Sequence, residues 1–578
     1  MNKSIFKRII KYMSKSKLYM VLSLFSAIIT VIASLIAPML IGKTIDKMTG
    51  KGLVDFGYVF KVIIIIALVY IVGNIFNWLL TYLINLITFS SVNTIRHDLF
   101  KKISTLPLKF FDNSPHGDTI SRFVNDIETI SDGMIQTLST LLTGIVTIVG
   151  AIGFMFYLNP VMTLVVLISS PASYFMARFI TKRSQKMFKK QAKILGNLNA
   201  YIEEIIEGQK VVKAFNYEDD TIKKFKDINN DLCEVGTKSQ FYGSLSGPTT
   251  RVVNNIIYSI VGVIGCFAAI LGKLTIGDIS SFLIYSILFS RPINDITAIF
   301  TQIQAAVASA ERVFYVMDME SEVSDTKVAI DLHNNEGVIS FRNVDFAYTP
   351  EHPLIKNFNL TVNPGSRVAI VGKTGAGKTT LVNLLMRFYE INSGCIFIDG
   401  TNINEVSRDS LRTNFGMVLQ ETWLFSGTIK ENIAYGKPNA TEEEIISAAK
   451  ASGSSSFIRH LPKGYDTIIT DLGENLSQGQ RQLLTIARVM LVDPPMLILD
   501  EATSNIDTIT ELKIQKAFLK MLEGRTSFVI AHRLSTIRES DIILVMDNGN
   551  IVQSGTHEGL LQKGGQYAEL YNSQFAPV

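Results

Sequence analysis

Residues 368–379 read Val-Ala-Ile-Val-Gly-Lys-Thr-Gly-Ala-Gly-Lys-Thr, four apolar residues followed by a glycine-rich turn that ends in Lys-Thr. The apolar residues predict a short buried strand, and the pattern from Thr380 onward predicts a helix. Glycines let the backbone wrap around a phosphate, so that several N–H groups and the helix N-terminus point at it. The spacing G-x-x-x-x-G-K-T between a strand and a helix therefore predicts a nucleotide phosphate site.

Two side chains of this loop carry the groups that chemistry at a phosphate requires. Lys378 is predicted to place its ammonium on the β- and γ-phosphates, and Thr379 to offer its hydroxyl to Mg²⁺. A plain glycine-rich turn is the alternative, and the strand before and helix after disfavour it. The other predicted ATP-binding positions belong to the same stretch: Gly372, Lys373, Thr374, Gly375, Ala376, Gly377 and Thr380.

A second apolar strand, Met496–Leu499, ends in the acidic pair Asp500-Glu501. In a parallel sheet such a strand delivers its last residues to the edge where the phosphates bind, so Asp500 is predicted to ligate Mg²⁺. Glu501, one residue further on, is predicted to polarise the attacking water as general base. Two acids after a strand also commonly begin a helix; the phosphate loop favours the catalytic interpretation.

The first half of the chain contains long runs without charged residues. Only 18% of the 578 residues are charged and 47% are hydrophobic, whereas a soluble domain carries about 25% charged residues. A membrane span needs about 20 apolar residues. The sequence therefore predicts a six-helix, all-α transmembrane domain over residues 1–320 and an α/β P-loop ATPase domain over residues 321–578. The six predicted spans are Leu18–Gly42, Val62–Ser90, Gly133–Leu158, Val161–Ile180, Val252–Leu271 and Ile276–Leu288.

Positive charge predicts how these spans are oriented. Lysines and arginines gather before the first span and in the long segments after the second and fourth, which places both termini and the ATPase domain in the cytoplasm. Apolar residues recur at helical spacing between Ile5 and Met13, opposite the lysines, and predict a helix in the lipid headgroup layer; a frayed basic tail is the alternative. The net charge of +4 excludes a nucleic-acid binder driven by bulk charge. The three cysteines suggest neither disulfides nor a metal site.

Five further motifs stand in the order found in ATP-binding-cassette (ABC) transporters, and the chain resembles that family over essentially its whole length. Leu476-Ser477-Gln478-Gly479-Gln480 resembles the signature motif, and Ser504-Asn505-Ile506-Asp507 resembles the D-loop. The residues after the signature motif, Arg481–Met490, are predicted to form a helix. The resemblance makes Gln420 the Q-loop residue, which reaches Mg²⁺ or the attacking water, and His532 the switch histidine. Tyr348 stands where the family places an aromatic against adenine, although a core tyrosine is the alternative.

The resemblance also implies a partner. In ABC proteins the signature loop, here Ser477 to Gln480, contacts the γ-phosphate of ATP bound to the other cassette, so two chains must pair. The membrane half is similar to the type IV exporters of the multidrug and lipid exporter family, which makes the chain half a transporter. Gln478 replaces the usual glycine and Asn505 the usual alanine, a combination that favours the competent subunit of a heterodimer; a homodimer remains open.

The implied activity is ATP-driven export of hydrophobic or amphipathic compounds (drugs, lipids or peptides) by alternating access. The segments around Phe110–Asp112 and Glu207–Phe215 resemble intracellular loops that couple the cassettes to the spans. Arg291 and Asp295 form a possible pair in the last span, and whether they line a cavity is open. An exporter-fold importer of a metal chelate and an ATP-gated channel or regulatory subunit are the alternatives. By resemblance, the protein is expected in a bacterial plasma membrane.

Overall fold

The structure is a computed structural model that describes residues 3–48, 54–322, 330–332, 336–419, 422–470, 473, 475–500, 506–531 and 534–575. The chain divides into two compact units. The first, the membrane unit, comprises Met1–Thr105 and Ser114–Met319. The second, the cassette unit, comprises Glu320–Val578 together with the short segment Leu106–Asn113. Gln420, Glu501 and His532 lie outside the described residues.

The first eleven helices follow each other with short connections. All belong to the membrane unit except α4. Their bounds are α1 (Lys3–Met13), α2 (Lys17–Asp46), α3 (Phe56–Ile103), α4 (Leu108–Asn113), α5 (His116–Ser121), α6 (Ile127–Leu158), α7 (Pro160–Glu207), α8 (Gln209–Ala214), α9 (Glu218–Ser244), α10 (Ser246–Ile270) and α11 (Ile276–Asp318).

Each of the six apolar stretches coincides with part of one long helix, namely α2, α3, α6, α7, α10 or α11, although the fifth stretch ends at Leu271, one residue after α10. A tight turn joins the third and fourth stretches: Asn159 accepts a hydrogen bond from the Met162 amide at 3.0 Å and Pro160 is the first residue of α7. Within the described residues, four helical segments are long and apolar enough to cross a membrane, and Pro160–Ser169 is a shorter apolar helix. The four segments are Ser4–Asp46, Phe56–Ile103, His116–Leu158 and Glu218–Ile270.

The second half of α2 and the start of α11 are joined by hydrogen bonds from side chains. The buried hydroxyl of Tyr285 donates to the carbonyl of Leu35 at 2.5 Å, and Ser281 Oγ donates to the Pro38 carbonyl at 2.9 Å. At the end of α2, one oxygen of Asp46 accepts from the Thr275 hydroxyl at 2.8 Å. These bonds satisfy polar groups that would otherwise be costly in an apolar environment.

The described part of the cassette unit contains three sheets. Its strands are β1 (Ile339–Thr349), β2 (His352–Val362), β3 (Arg367–Gly372), β4 (Ser393–Ile398), β5 (Thr401–Asn402), β6 (Phe415–Val418), β7 (Gly427–Thr428), β8 (Ile468–Ile469), β9 (Met496–Asp500), β10 (Thr526–Ile530), β11 (Ile542–Asp547) and β12 (Asn550–Gly555). The central sheet has the order β12-β11-β3-β10-β9-β6, and its strands are parallel except β12. An antiparallel sheet has the order β2-β1-β4-β5, and β7 pairs with β8.

Helices cover the central sheet, which explains why its inner strands are buried along most of their length. All five residues of β10 are buried, and so are the first four of β9. The covering and connecting helices are α12 (Lys378–Leu385), α13 (Arg408–Thr413), α14 (Ile429–Ala434), α15 (Glu442–Ser452), α16 (Ser455–Ile458), α17 (Gln478–Val492), α18 (Thr508–Leu522), α19 (Leu534–Arg538), α20 (His557–Lys563) and α21 (Gln566–Phe575). This layered order places the carboxyl ends of β3, β6, β9 and β10 at one edge.

Candidate functional site

The phosphate loop lies where the sequence predicts it, between β3 and α12. Helix α12 begins at Lys378, two residues before the predicted start at Thr380. Gly377 precedes it with φ of +94°, a left-handed conformation that residues with a Cβ adopt at a cost. The loop is held from behind by the amide of Gly549, which donates to the Ala376 carbonyl at 3.0 Å. The backbone is thus fixed with the first turn of α12 at its end.

Lys378 is bound to its own loop. Its Nζ donates to the carbonyl of Gly372 at 2.8 Å and to that of Lys373 at 3.1 Å. Burial lowers the pKa of this ammonium, and the negative charge of Asp500 opposes that shift. An anion placed at the loop would find the cation already positioned, because Lys378 needs only to exchange carbonyl partners for phosphate oxygens.

Asp500 stands at the same edge of the sheet as the loop. It is the last residue of β9 and is paired in register with Ile530, the last residue of β10, whose neighbour β3 leads into the phosphate loop. Thr379, the other predicted Mg²⁺ ligand, is exposed at the start of α12. A carboxylate and a hydroxyl are oxygen donors of the kind that Mg²⁺ takes, with phosphates and water completing its shell.

The three predicted catalytic residues, Gln420, Glu501 and His532, fall outside the described residues. Their described neighbours in the chain are Leu419, Asp500 and Ala531, which follow or end β6, β9 and β10. These three strands are adjacent and parallel in the central sheet. The described residues just before Gln420, Glu501 and His532 therefore all lie at the carboxyl ends of parallel strands, on the same edge of the central sheet.

A cavity of about 320 Å³ opens beside the phosphate loop. Lys373, Thr374 and Lys378 line one side, and Ala531 lines another. A third wall comes from α21, through Tyr567 and Tyr571, which the sequence interpretation missed. The only sequence signal was the spacing of two tyrosines by four residues, which places them on one helix face.

His557 contacts both tyrosines that line this side of the cavity, Tyr567 and Tyr571. The Tyr567 hydroxyl lies 2.7 Å from His557 Nδ1, and the Tyr571 ring packs against the same imidazole at 5.4 Å between centroids. Burial raises the pKa of Tyr567 to about 12, so this hydroxyl stays protonated at neutral pH. Tyr567 is therefore a neutral hydrogen-bonding group beside the phosphate loop.

Tyr348 lies near the loop, on β1. Its hydroxyl donates to Thr380 Oγ1 at 3.1 Å, at the start of α12. The rings of Phe346 and Tyr389 pack edge-on against it, with centroids 4.8 and 4.9 Å away. The ring nevertheless remains 37% exposed, so it is packed but has a free surface near the loop.

The signature residues begin a helix earlier than expected. Helix α17 starts at Gln478, not at Arg481, and Ser477 caps it: Ser477 Oγ accepts from the Gln480 amide at 3.3 Å, while Gln480 Oε1 accepts from the Ser477 amide at 2.9 Å. Gly479 is buried where α17 meets α18, and a Cβ there would lie 2.3 Å from Thr510 Cγ2. A side chain at this position would force the two helices apart.

Asp507, the last residue of the predicted D-loop, also caps a helix. Its carboxylate accepts a hydrogen bond from the Thr510 amide at 2.9 Å, in the first turn of α18. The hydrogen bonds from Thr510 lower the pKa of Asp507. The D-loop residue and the signature residue Gly479 therefore meet around Thr510.

The first predicted intracellular loop contacts the cassette. Leu106 and Phe110 are buried in the cassette unit, 7% and 8% exposed. Asp112, on α4, accepts a hydrogen bond from the Tyr389 hydroxyl. Burial, together with this bond and the carboxylate charge, raises the pKa of Tyr389. Arg291 and Asp295, by contrast, are both exposed on α11, and the described residues include no ion pair between them.

Comparison with known proteins agrees with this geometry. The model of the ABC transporter transmembrane region matches residues 20–293, and the ABC transporter model matches residues 355–504. An uncharacterised ABC transporter ATP-binding protein of Bacillus subtilis is 42% identical over 99% of this chain and 94% of that relative. The fatty acid ABC transporter ATP-binding/permease protein of Mycobacterium bovis is 43% identical over 91% of this chain and 83% of its own length.

Two further matches extend the comparison. The ATP-dependent lipid A-core flippase of Syntrophus aciditrophicus is 38% identical over 88% of this chain and 85% of its own. Among solved structures, a bacterial Atm1-family ABC exporter with ATP bound matches with a TM-score of 0.80 at 29% identity, over 98% of this chain and 99% of that chain. The predicted family and fold class are confirmed. The chain belongs to the ABC transporter family, as an exporter-type membrane protein in which a helical transmembrane region is followed by an ATP-binding and ATP-hydrolysing α/β domain.

Proposed function

We propose that this chain is half of a dimeric exporter that uses ATP to move hydrophobic or amphipathic compounds out of the cytoplasm, with fatty acids and other lipids as the first candidates. The relatives named for fatty acid and lipid A-core transport support that substrate class. Residues 1–320 form the transport domain in this proposal and residues 321–578 the ATPase domain. The membrane is the plasma membrane, with both termini and the ATPase domain in the cytoplasm.

One observation carries the dimer. The cavity at the phosphate loop is lined by residues such as Lys373 and Lys378, whereas none of its described lining residues comes from Ser477–Gln480. This lining supports a second cassette as the source of the signature loop that encloses ATP. The α8 segment supports the same conclusion, because Val211 is 60% and Phe215 78% exposed there, and apolar side chains of a coupling segment need a partner surface.

The catalytic roles follow the sequence prediction. Lys378 and the loop amides bind the phosphates, Tyr348 packs against adenine, and Asp500 and Thr379 hold Mg²⁺ with Gln420. When bound, Mg²⁺ neutralises charge that develops on the phosphates. Glu501 accepts the proton of the attacking water.

His532 and the facing signature loop complete the site. The histidine orients the attacking water at the γ-phosphate. Ser477, Gln478, Gly479 and Gln480 bind the γ-phosphate held by the opposite cassette, with Asp507 supporting that contact.

A heterodimer, in which the second chain carries a degenerate site, is slightly favoured over a homodimer because Gln478 and Asn505 depart from the common motifs. Two other functions use the same fold: import of a metal chelate, and nucleotide gating with little hydrolysis. An intact Glu501 and His532 favour hydrolysis.

The experiment is Mg-ATP hydrolysis by the full chain, purified alone in lipid nanodiscs, beside Glu501→Gln. Activity in the wild type that is lost in the variant, with ATP binding retained, supports hydrolysis by a homodimer. ATP binding without hydrolysis in the wild type would point to a missing partner chain. Equal turnover in both proteins would overturn the assignment of Glu501 as general base.

Direction and cargo need a second assay. Inside-out vesicles that contain the active dimer should take up a fluorescent fatty acid when ATP is added outside, and should not do so with Glu501→Gln. ATP-dependent release of preloaded cargo from these vesicles would instead mean import, and hydrolysis without movement of any lipid would remove the proposed substrate class.

A further inference from the structure

Helix α1 presents two different faces to its surroundings. Ile5, Ile9 and Met13 are buried against the membrane unit, 8%, 7% and 6% exposed. Lys7 and Lys11 are exposed one helical turn apart on another face, and Lys15 is exposed one turn further on. A turn is about 5.4 Å, so two of these ammonium groups can reach a single phosphate.

An apolar cavity of about 240 Å³ lies under α1. Phe6 and Met13 of α1, Met134 and Leu138 of α6, and Val307 of α11 are among its lining residues. Thr137 is the one hydroxyl side chain among the described residues of this wall. The cavity has the volume of about eight water molecules, but apolar cavities do not hold ordered water, because each water needs two to four polar partners. Its natural occupant is a hydrocarbon chain.

A larger cavity of about 800 Å³ lies on the other side of Ile10, which borders both. Lys7, Lys11 and Lys15 line it together with Arg8 and Asp98. This second cavity is strongly basic. Its lining comes mostly from α1, with Asp98 from α3, and Ile10 is shared with the apolar cavity.

Two of these charged groups already have partners. Arg8 donates to both oxygens of Asp318 at 2.7 Å, and Asp98 accepts from the Tyr12 hydroxyl at 3.0 Å. In the part of the chain that is described, no carboxylate pairs with the three lysines. The uncompensated charge of the cavity is therefore positive.

We propose that the two cavities together bind one anionic phospholipid, with its phosphate on Lys7 and Lys11 and one acyl chain in the apolar cavity. Charge complementarity selects the anionic headgroup, and Lys15 adds to the same field. A single acyl chain or a basic patch alone gives weak membrane attachment, whereas the two together give a stable one. The site fixes α1 to α6 and α11 through a lipid.

The test is native mass spectrometry of the full-length protein in detergent, titrated with palmitoyl-oleoyl phosphatidylglycerol or with phosphatidylcholine of the same chains. We expect one phosphatidylglycerol per chain to bind more tightly than phosphatidylcholine. The variant Lys7→Gln/Lys11→Gln/Lys15→Gln should lose on the order of 100-fold in phosphatidylglycerol affinity, since each lysine contributes about five-fold at an anionic surface. Exposed glutamines leave the helix intact, so misfolding does not confound the result.

The matched control is Lys43→Gln/Lys47→Gln/Lys273→Gln, which removes the same charge near the opposite end of α2, about 45 Å away along a 30-residue helix. It should keep wild-type affinity. Equal loss in both triple variants, or no loss in the α1 variant, would overturn the proposal, since the lipid would then be held elsewhere or by charge in general.

The chemistry of the ligand is tested without further substitution. Dihexanoyl phosphatidylglycerol, which has the same headgroup on short chains, should bind at least 10-fold more weakly than the long-chain lipid. Glycerol phosphate and inorganic phosphate should not displace the long-chain lipid at matched concentration. Displacement by either would show a free-phosphate site, and equal affinity of the two phosphatidylglycerols would show that the apolar cavity takes no part; both results refute the proposed lipid site.

Discussion

The contact between Asp112 and Tyr389 yields the sharpest prediction. Tyr389→Phe removes one oxygen atom and with it the hydrogen bond that ties α4 to the cassette unit. The aromatic packing against Phe346 and Tyr348 stays, because the phenyl ring keeps its position. The substitution therefore isolates the polar part of the contact.

The magnitude follows from the chemistry of the pair. A hydrogen bond to a charged group contributes about 1.5–3 kcal/mol, and the exposure of Asp112 reduces this through solvent screening. We expect about 1–1.5 kcal/mol for docking of α4, which corresponds to a factor of about 5–13 in the opening equilibrium of the segment. Leu106 and Phe110 keep the rest of the contact, so the segment loosens without detaching.

Hydrogen–deuterium exchange of the peptide that covers Leu106–Asn113 measures this opening directly. The amides of the segment should exchange about 5–13 times faster in Tyr389→Phe. Asp112→Ala, which removes the acceptor, should give a similar increase, and the double variant should be no faster than either single variant, because both substitutions remove the same bond. Exchange that stays within two-fold of wild type, or effects that add in the double variant, would refute the energetic role of this bond.

Three further outcomes are expected. Gly479→Ala should lower the stability of the cassette by about 1–3 kcal/mol, seen as a lower thermal midpoint, and Thr510→Ser in the same chain should restore most of it by removing the methyl that clashes; no recovery would contradict the packing argument. Arg312→Met should cost about 1–3 kcal/mol because it strips the buried Asp126 of its guanidinium partner, whereas a thermal midpoint equal to wild type would mean that Asp126 is satisfied otherwise. Lys378→Ala should weaken ATP binding by roughly 10–100-fold in a fluorescent-nucleotide titration, while Lys373→Ala, which removes an exposed charge from the same loop, should change affinity by less than about three-fold; equal losses would refute a specific role of Lys378.

Much of this architecture could be predicted because its signals are local. A phosphate loop needs a strand, glycines and a helix in unbroken succession, and residues 368–379 provide all three. Uncharged runs longer than a bilayer requires similarly predicted where the long helices lie. The strand ending in Asp500 was also visible, since Met496–Leu499 is an uninterrupted apolar run of the kind that buried strands of a parallel sheet favour.

Other features depend on contacts between residues that are distant in sequence or on specific hydrogen bonds, and local sequence patterns do not predict them. The wall formed by Tyr567 and Tyr571 beside the phosphate loop requires α21 to fold back on the central sheet. The start of α17 at Gln478 depends on the reciprocal bonds between Ser477 and Gln480, which shift the helix boundary by three residues. The roles of Gln420, Glu501 and His532 remain predictions from the sequence.

The cassette unit is made of two segments that are far apart in the sequence, and this affects the order in which the protein can fold during synthesis. Leu106–Asn113 belongs to that unit, yet the residues it packs with are synthesised hundreds of positions later. At about 5–20 residues per second, the ribosome needs on the order of a minute to supply them. During that time Leu106 and Phe110 have no surface to cover them, so the segment is a natural site for a chaperone to hold. The cassette unit can therefore be assembled completely only after its second segment, Glu320–Val578, has been synthesised.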